Sequence, residues 1–116
     1  MKKAYFLSTC STCKKIIAQI NAPESFQMQD IKSSSITTEQ IEEMRERAGS
    51  YEALFSRRAL KFRSMGLHEK SLSEEDYKSL ILEEYTFLKR PVFIVDDHIF
   101  IGNSKKTVES FLSQIQ

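Results

Sequence analysis

A chain of 116 residues, 41% of them hydrophobic, is long enough for one core and one domain. Seventeen lysines and arginines against sixteen carboxylates leave a net charge of +1, which excludes the strongly basic balance of a chain-wide nucleic-acid binder. No apolar run approaches membrane-spanning length, and Met1-Lys2-Lys3 is followed by too short an apolar run for a signal peptide, so a cytoplasmic protein without membrane contact is expected.

The first predicted strand covers about 4–8 and stops at small polar residues. A helical apolar pattern then runs through Cys13, Ile16, Ile17 and Ile20, predicting a helix over 11–20 that Asn21-Ala22-Pro23 ends. Cys10 thus falls at a strand-to-helix turn. Unpaired backbone N–H groups there, with Lys14 and Lys15 adding positive charge, lower a thiol pKa and predict a reactive thiolate.

Two cysteines are also compatible with buried apolar residues, a structural disulfide or half of a zinc site. Four cysteine ligands are not available, and His68 and His98 have no partner at finger-like spacing. A disulfide across two intervening residues closes a tiny loop and gains little loop entropy. A redox Cys-x-x-Cys accounts for the placement after a strand and before a helix.

Phe26-Gln27-Met28-Gln29-Asp30-Ile31 alternates as a half-exposed strand with Phe26 and Met28 on one face, completing a β-α-β unit expected to be parallel and right-handed. After a polar link, Thr37 and Gln40 predict a capping box, Ile36 and Ile41 a hydrophobic staple, and Gly49 the helix end. Ile41, Met44 and Ala48 form the predicted buried stripe. Glu39, Glu42, Glu43 and Glu46 read as a solvated face rather than a metal site.

From Tyr51 to Leu67 the helical period is interrupted and the charge changes sign. Ser56 to Arg63 holds four cations and no acid, either a solvated face or an oxyanion clamp. Ser73 opens another helix with an acidic first turn and apolar residues at Tyr77, Leu80, Ile81 and Tyr85. Pro91 to Val95 and His98 to Ile101 form a predicted hairpin around Asp96-Asp97, apolar enough to be covered on both faces. Gly102-Asn103-Ser104 leads to a last helix with Val108, Phe111, Leu112 and Ile115 on one side. The expected fold is α/β and thioredoxin-like: β-α-β, a helical insertion at about 33–87, then β-β-α, with a mixed four-stranded sheet in one domain spanning 1–116.

Thr9-Cys10-Ser11-Thr12-Cys13-Lys14-Lys15, the Arg57-Arg58 segment, Leu88-Lys89-Arg90-Pro91 and Gly102-Asn103-Ser104 occur in an order that resembles the ArsC-like arsenate reductase family, which includes the redox regulator Spx. The resemblance implies that Cys10 is the nucleophile, attacking arsenate or an oxidised thiol. It implies that Arg90 binds an oxyanion and that Pro91 is cis beside the active cysteine. Arg58 matches the arginine of the Spx-like branch, while the arsenate-reductase arginine falls nearer Ser56, so that Arg57 takes over with a small shift. Ser11, Thr12 and Asn103 complete the expected oxyanion or substrate set. Asn103 stands where the family has a third arginine, which weakens the case for tight arsenate binding.

Cys13 departs from the glutathione- and glutaredoxin-dependent reductases and matches the Spx-like branch. There it is expected to resolve a Cys10 adduct as a disulfide, with thioredoxin or glutathione and glutaredoxin as reductant and no bound cofactor or metal. The alternative is an Spx-like regulator docking on the RNA polymerase α-subunit. Spx-type proteins carry an extension beyond the last helix, and their insert glycine matches Ser50 rather than Gly49, so an enzyme is favoured. No direct nucleic-acid reader is found, and a monomer is expected.

Overall fold

The computed structural model describes residues 1–115. Four strands, β1 (Lys2–Phe6), β2 (Gln27–Asp30), β3 (Val92–Val95) and β4 (His98–Ile101), form one sheet in the order β2-β1-β3-β4. β1 pairs parallel with β2 and antiparallel with β3, and β3 pairs antiparallel with β4. Among the described residues five α-helices accompany it: α1 (Ser11–Ile17), α2 (Thr38–Ala48), α3 (Leu60–Ser64), α4 (Glu74–Glu83) and α5 (Lys105–Ile115). This is the mixed α/β architecture expected from the sequence.

Several boundaries differ for local reasons. β1 starts at Lys2 rather than Ala4, because the Lys2 and Lys3 backbone pairs with Val95 and Ile94. Leu7 instead belongs to the following turn, where its carbonyl accepts from Cys10 N–H at 2.9 Å. α1 stops at Ile17, since Gln19 and Ile20 donate to carbonyls three residues back and tighten the last turn. Met28 stays 39% exposed while Phe26 is buried. Phe26 caps the 3-10 turn Pro23–Ser25 and joins an aromatic cluster, and that cover does not reach Met28 on the edge strand. β3 is buried throughout, but β4 is the other edge, and its residues are exposed or half-buried rather than covered on both faces. Tyr85 lies beyond α4, in the 3-10 turn Tyr85–Phe87.

The chain divides into two compact units, one formed by 1–35 with the segment from Arg90 on, the other by 36–89. In the first, Phe93 and Phe111 stack with centroids 3.9 Å apart, and Phe26 meets both edge-on at 6.2 and 5.9 Å. Ala4, Ile16, Ile20 and Val95 complete this core, with Val108, Leu112 and Ile115 of α5 packed against it. The hairpin turns at Asp96 (φ 54°), whose N–H donates to the Met1 carbonyl at 2.8 Å.

The second unit is held by its caps and an aromatic cluster. Thr37 and Gln40 form both bonds of the capping box of α2, as Ser73 and Asp76 do for α4. Gly49 (φ 94°) ends α2, its N–H donating to Arg45 at 2.8 Å. Ile41 and Met44 are fully buried and Ala48 half-buried. Phe55 stacks on Phe87 at 5.0 Å and approaches Tyr77 at 4.9 Å. Leu54 and Ser56 are tied to Lys89 and Phe87 by backbone hydrogen bonds of 2.8 and 2.7 Å.

Candidate functional site

β1 delivers the chain to the turn that carries Cys10, and α1 begins immediately after it. Cys10 takes an extended conformation (φ −94°, ψ 111°), and its carbonyl accepts from Lys14 N–H at 3.2 Å. The helix pitch brings Cys13 back beneath Cys10, one turn on. Cys10 is half-buried and Cys13 fully buried, and both are free thiols.

Their environments push the two thiols apart. Burial works to raise the Cys10 pKa, but the Cys13 backbone, the Cys13 side chain, the Thr12 backbone and the Arg90 charge together outweigh it, so Cys10 lies below its ordinary value. Cys10 forms no side-chain cap hydrogen bond at the start of α1. Cys13 is pushed up to about 11, first by burial, then by the Cys10 side chain and its charge, against the favourable Leu7 backbone and Arg90. Arg90 thus acts on both sulfurs. Lys14 and Lys15, credited from the sequence with the local field, are exposed, and the cation that leads at Cys10 is Arg90.

The sheet register explains how Arg90 arrives. Tyr5 pairs with Val92, so Arg90 and Pro91 run out beside the end of β1, next to the turn. The Arg90–Pro91 peptide is cis, and the Pro91 carbonyl accepts from Gly102 N–H at 2.9 Å. Asn103 follows Gly102 and is exposed. Ser11 and Thr12, between the cysteines, are exposed on the first turn of α1.

Arg57 and Arg58 lie in the other unit. Arg57 is engaged there: it bonds Glu52 at 2.7 Å and the Tyr77 hydroxyl at 2.9 Å. Arg58 is exposed, and its N–H donates to Ser56 Oγ at 3.3 Å. Lys61 in the same basic run pairs with Glu84 at 2.6 Å. The run is therefore partly an ion-paired face.

One contact of the site is not signalled by any motif. Asp30, at the end of β2, accepts from Ser8 N–H at 3.3 Å and Lys32 N–H at 3.2 Å. Its only sequence signal is an acid closing the strand that runs parallel to β1. Among the described residues no group of three His, Cys, Asp or Glu side chains could hold a metal ion. Nor is any described helix long and apolar enough to cross a membrane.

The sheet order and the placement of the helices define a mixed α/β, thioredoxin-like fold that carries two free thiols at the start of α1. The chain belongs to the ArsC family, whose sequence model matches residues 5–111. It is 23% identical over 110 residues to the global transcriptional regulator Spx 2 of Bacillus anthracis, a match covering 93% of this chain and 84% of that one. Among solved structures it superposes on an arsenate reductase from Vibrio cholerae with a TM-score of 0.78 at 14% identity, over 99% of this chain and 97% of that one. A Staphylococcus aureus COL protein gives a TM-score of 0.73 at 25% identity, over 97% and 99% of the two chains.

Proposed function

We propose that this protein is a thiol oxidoreductase in which Cys10 is the nucleophile and Cys13 the resolving thiol. The observation that carries this reading is the split between the two sulfurs: an accessible Cys10 with a lowered pKa above a buried Cys13 with a raised one.

With arsenate as substrate, the Cys10 thiolate attacks arsenic and an oxygen leaves as water, forming an S–As(V) bond. Cys13 sulfur then attacks Cys10 sulfur, the Cys10–Cys13 disulfide forms, and the S–As electron pair departs with arsenic as arsenite. Thioredoxin, or glutathione with glutaredoxin, returns two electrons to the disulfide. A mixed disulfide or a peroxide serves as oxidant by the same two thiols, through a sulfenic acid in the peroxide case. Arg90 is suited to hold the anion beside Cys10, because its charge already favours the thiolate.

The order of steps follows from the pKa causes. Cys13 is held protonated partly by the Cys10 thiolate, so it cannot compete for substrate in the resting state. Once Cys10 sulfur is bonded to a neutral partner, as in a mixed disulfide, that thiolate charge is gone and Cys13 ionises more readily, with burial still opposing it.

Arsenite formation with the thioredoxin and glutaredoxin systems tests the reading. The native protein is expected to turn over with one of them, Cys10→Ser to be inactive, and Cys13→Ser to lose disulfide-linked turnover. No arsenite with either system would remove arsenate as substrate, leaving disulfide exchange to be assayed with a small oxidised thiol. A second reading, favoured by the sequence match to Spx 2, is a redox switch that docks on the RNA polymerase α-subunit. Co-purification with that subunit, altered by oxidising the cysteine pair, is its test.

A further inference from the structure

We infer that Asp30 is a positioning residue for Cys10: its carboxylate fixes the turn from Leu7 to Cys10 so that the sulfur meets the backbone of Thr12 and Cys13. The inference rests on the reading of Cys10 as nucleophile.

The turn has little of its own to hold it. It closes on one backbone bond, Cys10 N–H to Leu7 carbonyl, and its centre is Ser8-Thr9, with Thr9 exposed. Asp30 supplies the missing restraint from the neighbouring strand. β2 runs parallel to β1 with Phe6 opposite Asp30, and Ile31 N–H continues that pairing onto the Phe6 carbonyl at 2.9 Å. Asp30 therefore lies where β1 gives way to the turn. Its Oδ1 accepts from the amides of both Ser8 and Lys32, so one carboxylate ties the loop leaving β1 to the loop leaving β2. The Asp30 carboxyl is held below the usual range, first by the Ser8 side chain and then by the Lys32 and Ser8 amides and the Ser33 side chain, against the opposing effect of burial.

An acid is an unexpected choice beside the turn that carries a thiolate. By charge alone it would raise the Cys10 pKa, opposite to what is found. Its hydrogen bonding, by contrast, acts in the observed direction, since it fixes the geometry in which the backbone dipoles favour the thiolate. The two roles predict shifts of opposite sign on removal of the carboxylate, which makes them separable.

The test is the pH dependence of Cys10 alkylation by iodoacetamide, read at Cys10 by tandem mass spectrometry, with folding checked by circular dichroism. In Asp30→Ala the midpoint is expected to move up and the rate near neutral pH to fall several-fold. Asp30→Asn, which keeps an acceptor oxygen for the Ser8 and Lys32 amides, is expected to stay close to the native profile. Ser8→Ala, which removes only the hydroxyl contact, should give a smaller upward shift, and it reads the same restraint should Asp30→Ala not fold. A folded Asp30→Ala with a native profile would overturn the role, as would downward shifts in both Asp30 variants. A native midpoint at the ordinary thiol value would overturn both this role and the functional reading beneath it.

Discussion

Cys13 is the residue whose ionisation reaches furthest into stability. Its folded pKa of about 11 lies above the ordinary 9.0, so between these values the unfolded chain has lost a proton that the folded chain keeps. Stability from this group is therefore fully present below about pH 9 and falls as pH rises towards 11, by on the order of 1 to 2 kcal/mol after allowance for solvent screening. Thermal melts at pH 8 and 10.5 should show a smaller alkaline loss in Cys13→Ala than in the native chain. An equal loss in the two would contradict the buried, raised thiol. The cysteine pair was legible in the sequence because its spacing and its place after a strand are local signals. Asp30 was not, since its contact with Ser8 spans 22 residues and exists only once β2 is in register with β1. Arg57 shows the converse: a cation in a promising run turned out to be bonded to Glu52 and Tyr77, partners that no linear pattern names.

At the level of elements, the caps were read most directly. Thr37 and Gln40 stand three apart before an apolar period, and both reciprocal bonds form. Thr37→Ala is expected to lower stability by about 1 kcal/mol, measured as a shift of the urea midpoint with the slope unchanged. No change would mean that α2 does not depend on its cap. Elements at the sheet edges were less legible. β4 carries the pattern of a strand covered on both faces, His98-Ile99-Phe100-Ile101, and the stretch into β2 that of a half-exposed one, Phe26-x-Met28, yet each strand has a neighbour on one side only. Alternation reports which residues can face a core, whereas strand order decides whether a core is there to face.

Across the whole molecule charge is not evenly shared. The segments 1–35 and from Arg90 on carry eight lysines and arginines against five carboxylates, while 36–89 carries nine against eleven. The near-neutral total conceals a basic unit that holds both thiols and Arg90. An anionic probe should therefore be drawn to Cys10. Alkylation by iodoacetate is expected to slow as salt is raised from about 10 mM to about 0.5 M, with neutral iodoacetamide little affected. Parallel salt dependences for the two reagents would show that the field at Cys10 is not cationic.

The pairing of β1 with β3 brings residues from opposite ends of the chain into one ladder. During synthesis Cys10 and Cys13 leave the ribosome long before Arg90, which favours the ionised form of both, and before the strand that seats it. A nascent chain thus carries two thiols that lack this cation and the cover of the finished sheet. The Arg90 contribution at Cys10 is acquired last, with closure of the sheet, after the larger ones that Thr12 and Cys13 supply from the start of α1.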